Sequence, residues 1–264
     1  TTGMGLIREG ILGLTLGTGG IVAMGMSQYI ENHDQTLQFF CNNQKDLYHV
    51  MGVMLACGGS YQWYRNTFCK GEMAEAKAQG LDPYDILNQG AEASSPGSRG
   101  LIYLPYLSGE RAPYTDPNLR GCFIGMTQSH CKGDITRSVM EGIGYGMKQI
   151  GEAILQLKPV PLDRIIVSGG GSRSNLWRQI LSDIFQLPVY TVSGAKEGGA
   201  YGACLVGGVG AGIWKDLDDA CSTMKVMTEN LPNPDNKAVY EEMYHIYSDM
   251  VPTLKNQFDR LSVI

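Results

Sequence analysis

The stretch from Arg164 to Phe185, RIIVSGGGSRSNLWRQILSDIF, admits few structures. Arg164 to Ser168 is short, apolar, β-branched and bounded by glycine, which predicts a buried strand. Gly169, Gly170 and Gly171 permit backbone angles closed to residues with a Cβ. Ser172 or Ser174 can cap the helix that follows. Trp177, Ile180, Leu181 and Ile184 give that helix one apolar face, spaced i, i+3, i+4, i+7. A strand feeding a helix through bare glycines leaves N–H groups unpaired and a partial positive charge at the helix start. A flat ring or a phosphate can approach the main chain there, so the unit is a candidate nucleotide site. An ordinary glycine-rich turn is the plain alternative.

The chain has 264 residues, enough for one large domain or two small ones. Its net charge of −5, with no basic stripe carrying interleaved aromatics, argues against a nucleic-acid groove. The 7 cysteines form no CxxC pair and are odd in number, which predicts reduced thiols and a cytoplasmic setting. The 4 histidines lie far apart, so no zinc site is expected. Thr1-Thr2-Gly3 opens the chain with neither an initiator methionine nor a targeting segment. A piece of a longer polypeptide is expected, with methionine removal as the simple alternative.

Gly10 to Met26 carries no charge but is short and glycine-rich for a membrane span. Leu12, Leu14 and Leu16 alternate, Gly17-Thr18-Gly19-Gly20 turns, and Ile21 to Met26 returns, which predicts a β-hairpin. The Thr18 hydroxyl and its glycine neighbours could meet a phosphate; a plain tight turn fits as well. Strands are expected near Thr36–Cys41 and Asp46–His49, then a buried helix from Met51 to Phe68. Asp82-Pro83 starts another helix that runs to about Ala93. Leu101–Leu104 and Cys122–Met126 read as strands. The loop between them, PYLSGERAPYTDPNLRG, is too long and polar for a simple connection. Ser108-Gly109 could offer N–H groups, with Glu110, Arg111, Asp116 and Arg120 stapling the loop by ion pairs. Asp134 caps a long helix to about Leu157, within which Glu141 is either a buried hydrogen-bonding acid or solvated. Pro188–Val192 reads as a strand. Glu197 to Ala203 is poor helix, tolerated where the backbone must approach something. Asn236 to Leu261 reads as a polar-faced helix interrupted near Pro252, in a peripheral tail spanning 215–264.

No GxxxxGK[ST] occurs, so a P-loop is excluded. A dinucleotide fingerprint would need glycine or alanine where Ser174 stands, and an acid where the next strand ends at Ser193, so a Rossmann oxidoreductase fits poorly. The remaining pattern is a phosphate-gripping hairpin, a middle phosphate loop and an adenosine loop on a strand–glycine–helix unit. That is the order of the α/β actin-like, ribonuclease-H-like ATPase fold, a mixed sheet flanked by helices.

The segments LGTGG (16–20), LPYLSGERAPYTDPNLRGCFIGM (104–126), RSVMEGIGYGM (137–147), SGGGSRSNLWRQILSDIFQLPV (168–189) and EGGAYGACLVGG (197–208) resemble, in order, the C-terminal half of the FGGY carbohydrate kinases. Met51 to Arg65 and the YLSGERAP loop are most similar to the branch acting on the ketopentose xylulose. The resemblance implies that 1–264 is the ATP-binding domain of a two-domain kinase that moves the γ-phosphoryl group of ATP to a sugar hydroxyl. It implies ATP and Mg²⁺ as cofactors, with the metal held largely through phosphates and the other half. Gly17 and Thr18 match the hairpin at the terminal phosphates. Gly109 matches the contact of the middle loop. Gly170, Gly171, Ser174 and Asn175 match the segment around adenine and ribose, although related glycerol kinases carry asparagine where Ser174 stands. The general-base aspartate of the family would lie just upstream of Thr1, and Asp34 and Asp116 do not match it. Expected partners are sugar, ATP, the upstream sugar-binding domain and, through the face it would cover, a second copy of the chain; neither nucleic acid nor membrane is expected. A non-enzymatic actin-like nucleotide module is the alternative.

Overall fold

A computed structural model describes residues 1–33, 35–194 and 197–264. After a single 3₁₀ turn at Thr2–Met4, the hairpin forms from β1 (Ile11–Leu16) and β2 (Gly20–Met26). The next strands are β3 (Gln38–Cys41) and β4 (Tyr48–Met54). Three helices follow, α1 (Gly58–Phe68), α2 (Lys70–Gln79) and α3 (Pro83–Glu92). Strands β5 (Ile102–Leu104) and β6 (Cys122–Ile124) make a separate two-stranded ribbon. The chain continues through α4 (Lys132–Leu157), β7 (Arg164–Ser168), α5 (Asn175–Phe185) and β8 (Val189–Val192). It then runs through α6 (Gly199–Gly210), α7 (Leu217–Ser222), β9 (Val226–Asn230) and α8 (Lys237–Leu261). Among the described residues no helix is long and apolar enough to cross a membrane.

The main sheet has seven strands in the order β3-β4-β2-β1-β7-β8-β9. It is mixed: β1–β7 and β7–β8 are parallel, and the other neighbours are antiparallel. Period-two alternation divides the side chains between its faces. Leu12, Leu14, Leu16, Val22, Met24, Ile165 and Val167 enter the large core that α4 and α5 cover. Ile11, Ala23 and Ile166 point the other way, to a smaller core under Met4 and Leu6. Gly142 lets α4 cross β5 closely, since a Cβ there would collide with the Tyr103 carbonyl oxygen.

Several elements differ from the sequence expectation. Met51 to Met54 completes β4, paired with β2 from Met51↔Ala23 to Met54↔Gly20, so the helix starts only at Gly58. An apolar run of that length suits strand and helix equally, and the open hydrogen bonds of β2 decide it. Asp134 lies inside the first turn of α4 and reaches back to accept from the Cys131 N–H at 2.8 Å. The run of small residues from Gly199 is helical, and what its backbone approaches is the Thr2–Met4 turn: a Cβ on Gly202 would lie 2.9 Å from the Gly3 nitrogen.

The tail is not peripheral, and it is not interrupted. Helix α8 runs unbroken through Pro252 and buries Tyr240, Tyr247, Val251 and Phe258 in the main core, so packing on both sides of the proline outweighs its lost N–H. Its anchor is a buried polar cluster that resolves Glu141 as a buried acid. Glu141 Oε1 accepts from Arg137 Nε (2.8 Å), Gly97 N (3.0 Å) and Tyr240 Oη (2.8 Å), and Oε2 accepts from Ser98 Oγ (2.6 Å). Arg137 also donates to Tyr240 Oη at 2.9 Å and to the Ser94 carbonyl at 3.0 Å. Removing one member of such a pair strands a buried charge. Arg137→Met should therefore cost about 3–5 kcal/mol, read as a lower urea midpoint at unchanged slope.

Candidate nucleotide cleft

The parallel pairing of β1 with β7, ending at Thr15↔Ser168, brings the hairpin turn and the glycine turn to the same end of the sheet. Gly169 sits at φ 83°, and a Cβ there would lie 2.7 Å from the Leu16 carbonyl oxygen, so only glycine lets β7 leave the sheet beside β1. A 3₁₀ turn over Gly170–Arg173 follows. Ser174 then caps α5, its Oγ accepting from Trp177 N at 3.2 Å; Ser172 instead donates to the Gly169 carbonyl.

The hairpin turn is held from behind. Cys57 N and Gly59 N donate to the Thr18 carbonyl at 3.1 and 2.9 Å, and Gly58 N donates to the Gly17 carbonyl at 2.8 Å. The carbonyls are thus occupied by the start of α1. Thr18 is exposed, and among the described residues its hydroxyl makes no hydrogen bond.

Between these turns lies a cleft of about 430 Å³, within the usual range for small-molecule sites. Leu16, Gly17 and Thr18 line it from the hairpin, and Gly170, Gly171, Arg173, Ser174 and Trp177 from the glycine unit. Two further walls come from α1, through Gly58, Tyr61 and Gln62, and from the start of α3, through Asp82, Tyr84, Asp85 and Asn88. Tyr61 packs edge-on to Trp177 at 5.6 Å and donates to Asn88 Oδ1 at 3.0 Å. Burial pushes the Tyr61 phenol well above its ordinary range, so it stays a neutral donor. Arg173 Nη2 meets Asp82 Oδ2 at 3.3 Å, joining the glycine turn to α3, with the Arg173 side chain largely in solvent and that of Asp82 partly so.

The structure therefore gathers Gly17, Thr18, Gly170, Gly171 and Ser174 on one cleft and leaves Gly109 and Asn175 off its walls. Gly109, at φ 71°, is pressed against Pro117 of its own loop. Asn175 Oδ1 accepts from Arg178 Nη2 and Asn230 Nδ2, tying α5 to β9. The loop is not stapled by ion pairs within itself. Glu110 is buried and accepts from backbone N–H groups, Asp116 pairs with Lys255 of α8 at 3.0 Å, and Arg120 donates to the Pro117 and Leu119 carbonyls. Asp116 thus has a structural partner and lies off the cleft; Asp34 lies outside the described residues. The α3 wall was missed from sequence: Asp82-Pro83 marks a helix start, but nothing local says where that helix packs. Among the described residues the cleft's carboxylates are Asp82 and Asp85, and Asp82 also accepts from Tyr84 N as the cap of α3.

Among known proteins, the gluconokinase of Bacillus subtilis (strain 168) is 32% identical over 98% of this chain and 50% of its own length. A xylulose kinase of Staphylococcus epidermidis is 33% identical over 93% of the chain and 47% of its own length. The chain thus spans about half the length of the curated relatives it matches. The crystal structure of a ligand-bound xylulose kinase from Lactobacillus acidophilus superposes with a TM-score of 0.85 at 26% identity, covering 99% of this chain and 51% of that one. A gluconate kinase from the same organism gives 0.87 at 26% identity over the same shares. The fold is that of these actin-like kinases, α/β with a mixed sheet flanked by helices. The model of the C-terminal domain of the FGGY family of carbohydrate kinases matches residues 12–211, and the chain belongs to that family.

Proposed function

We propose that this chain is the ATP-binding half of a two-domain carbohydrate kinase and that the cleft receives the nucleotide. The observation that supports this most is the meeting of two distant segments, Gly17-Thr18 and Gly170-Gly171-Ser174, on one cleft in a family of kinases. In this reading the N–H groups and the exposed Thr18 hydroxyl of the hairpin face the terminal phosphates. The apolar wall of Leu16, Tyr61 and Trp177 takes the base and ribose beside the glycine turn. Phosphoryl transfer asks a protein mainly for alignment and charge stabilisation. With Asp82 engaged by Arg173 and by its own helix, the cleft is poorly built as a closed carboxylate cage. Mg²⁺ would be held through the phosphates and groups from outside these residues. The sugar pocket and the base that accepts the hydroxyl proton are assigned to the other half of the protein. For the sugar, the relatives carry two names, gluconokinase and xylulose kinase. The sequence of the YLSGERAP loop favours xylulose, with gluconate as the competing substrate.

A Cβ on Gly170 would meet nothing within 4 Å, so a side chain can begin there without a clash, on a wall of the cleft. Gly170→Ile should leave the thermal melt unchanged and weaken ADP binding at least about tenfold by calorimetry. Unchanged affinity would place the nucleotide elsewhere. The chain alone should show no turnover with ATP, Mg²⁺ and either xylulose or gluconate, because a positioned base is typically worth about 10²–10⁴-fold and alignment of the two substrates more. Adding the upstream half should restore turnover, and the ratio of rates on the two sugars identifies the substrate. Robust turnover by the chain alone would mean that the base lies within it.

A further inference from the structure

Glu110 is 3% exposed, yet among the described residues it pairs with no basic side chain. Its Oε1 accepts from Leu55 N at 2.9 Å and from Arg111 N at 2.7 Å, while among the described residues Oε2 is buried without a hydrogen bond. An acid kept in such a place is costly unless its position is used. Leu55 begins the turn between β4 and α1, the same turn whose Cys57, Gly58 and Gly59 N–H groups hold the Gly17 and Thr18 carbonyls. The backbone of Glu110 is fixed in turn by a reciprocal pair with Asp116, each N–H donating to the other's carbonyl at 2.8 Å. Hydrogen bonds at each end, joined by the short backbone segment from Leu55 to Cys57, thus link the long loop to the hairpin.

We propose that Glu110 is a positioning residue: its carboxylate fixes the Leu55 end of the β4–α1 turn and thereby sets the Gly17–Thr18 hairpin in the shape that receives nucleotide phosphates. The role rests on the nucleotide reading of the cleft, but Glu110 itself does not line that cleft. Either protonation state keeps an acceptor at Oε1 for the two N–H groups, and the ionised one binds them more strongly. Burial pushes its carboxyl up to about 7, although the N–H groups of Arg111 and Leu55 pull the other way. The titratable groups facing it are Cys57 on α1, Tyr106 and Tyr114 on its own loop, and Tyr247 on α8. Burial raises Cys57 to about 12 and raises all three phenols, so Glu110 alone of this group changes charge near neutrality.

The test joins two measurements on the whole chain. In amide NMR spectra from pH 5.5 to 8.5, Leu55 and Arg111 should shift with a midpoint near 7, and Gly58 and Thr18 should shift with them; in Glu110→Gln none should. By calorimetry, Glu110→Ala should weaken ADP binding about tenfold, while Glu110→Gln, which keeps an acceptor at Oε1, should stay within about threefold of the native chain. Should the alanine variant fail to fold, the native and glutamine spectra decide the matter. Native-like ADP binding by Glu110→Ala overturns the role, as do Gly58 and Thr18 amides indifferent to pH while Leu55 titrates; both leave the nucleotide reading standing. A native chain that binds no ADP overturns that reading and this role with it.

Discussion

The parallel contact between β1 and β7 is the constraint on which the rest of the molecule depends. Their pairing runs from Ile11↔Arg164 to Thr15↔Ser168, so two turns more than 150 residues apart leave the sheet side by side. The Thr15 and Ser168 hydroxyls hydrogen-bond to each other at 3.1 Å at that edge, just before the glycines begin. Gly169 can then pass within contact of Leu16. A side chain at Gly169 would part the two strands at the point where the cleft opens. The β1–β7 pair thus fixes sheet order, the entry angle of α5 and the cleft together.

Much of this was legible from sequence because the signals were local. Gly169 to Ser174 announced the turn and its cap, the spacing of Trp177 to Ile184 announced the buried face of α5, and the alternation of Leu12, Leu14 and Leu16 announced β1. Each signal is a matter of backbone freedom or periodicity within one segment. What escaped detection depends on which segments meet. Met51 to Met54 became strand because β2 offered it a partner. Asp82, Tyr84 and Asn88 joined the cleft because α3 packs beside α1 there, and no residue within α3 encodes that neighbour.

The charges of the long loop show the same limit in another form. Glu110, Arg111, Asp116 and Arg120 are close in sequence and opposite in sign, so mutual pairing was the natural expectation. Each instead found a backbone group, solvent or a distant helix. At Glu110 Oε1 the backbone N–H groups of Leu55 and Arg111 stand where a guanidinium would, and they lose no side-chain entropy in doing so.

That loop is bound to α8 at several points: Tyr106 to Tyr247, Asn118 to Asp259, and Asp116 to Lys255. Tyr106 and Tyr247 are separated by 141 residues. At ordinary ribosomal speed, roughly 5–20 residues per second, α8 emerges about 7–28 s after the loop it secures. During that interval the loop has no helix to close against. Its tyrosines, Tyr106 buried and Tyr114 partly buried in the finished domain, stand in water or against whatever apolar surface is near. Closure of the loop is therefore a late event in biosynthesis, completed from a helix that lies off the cleft.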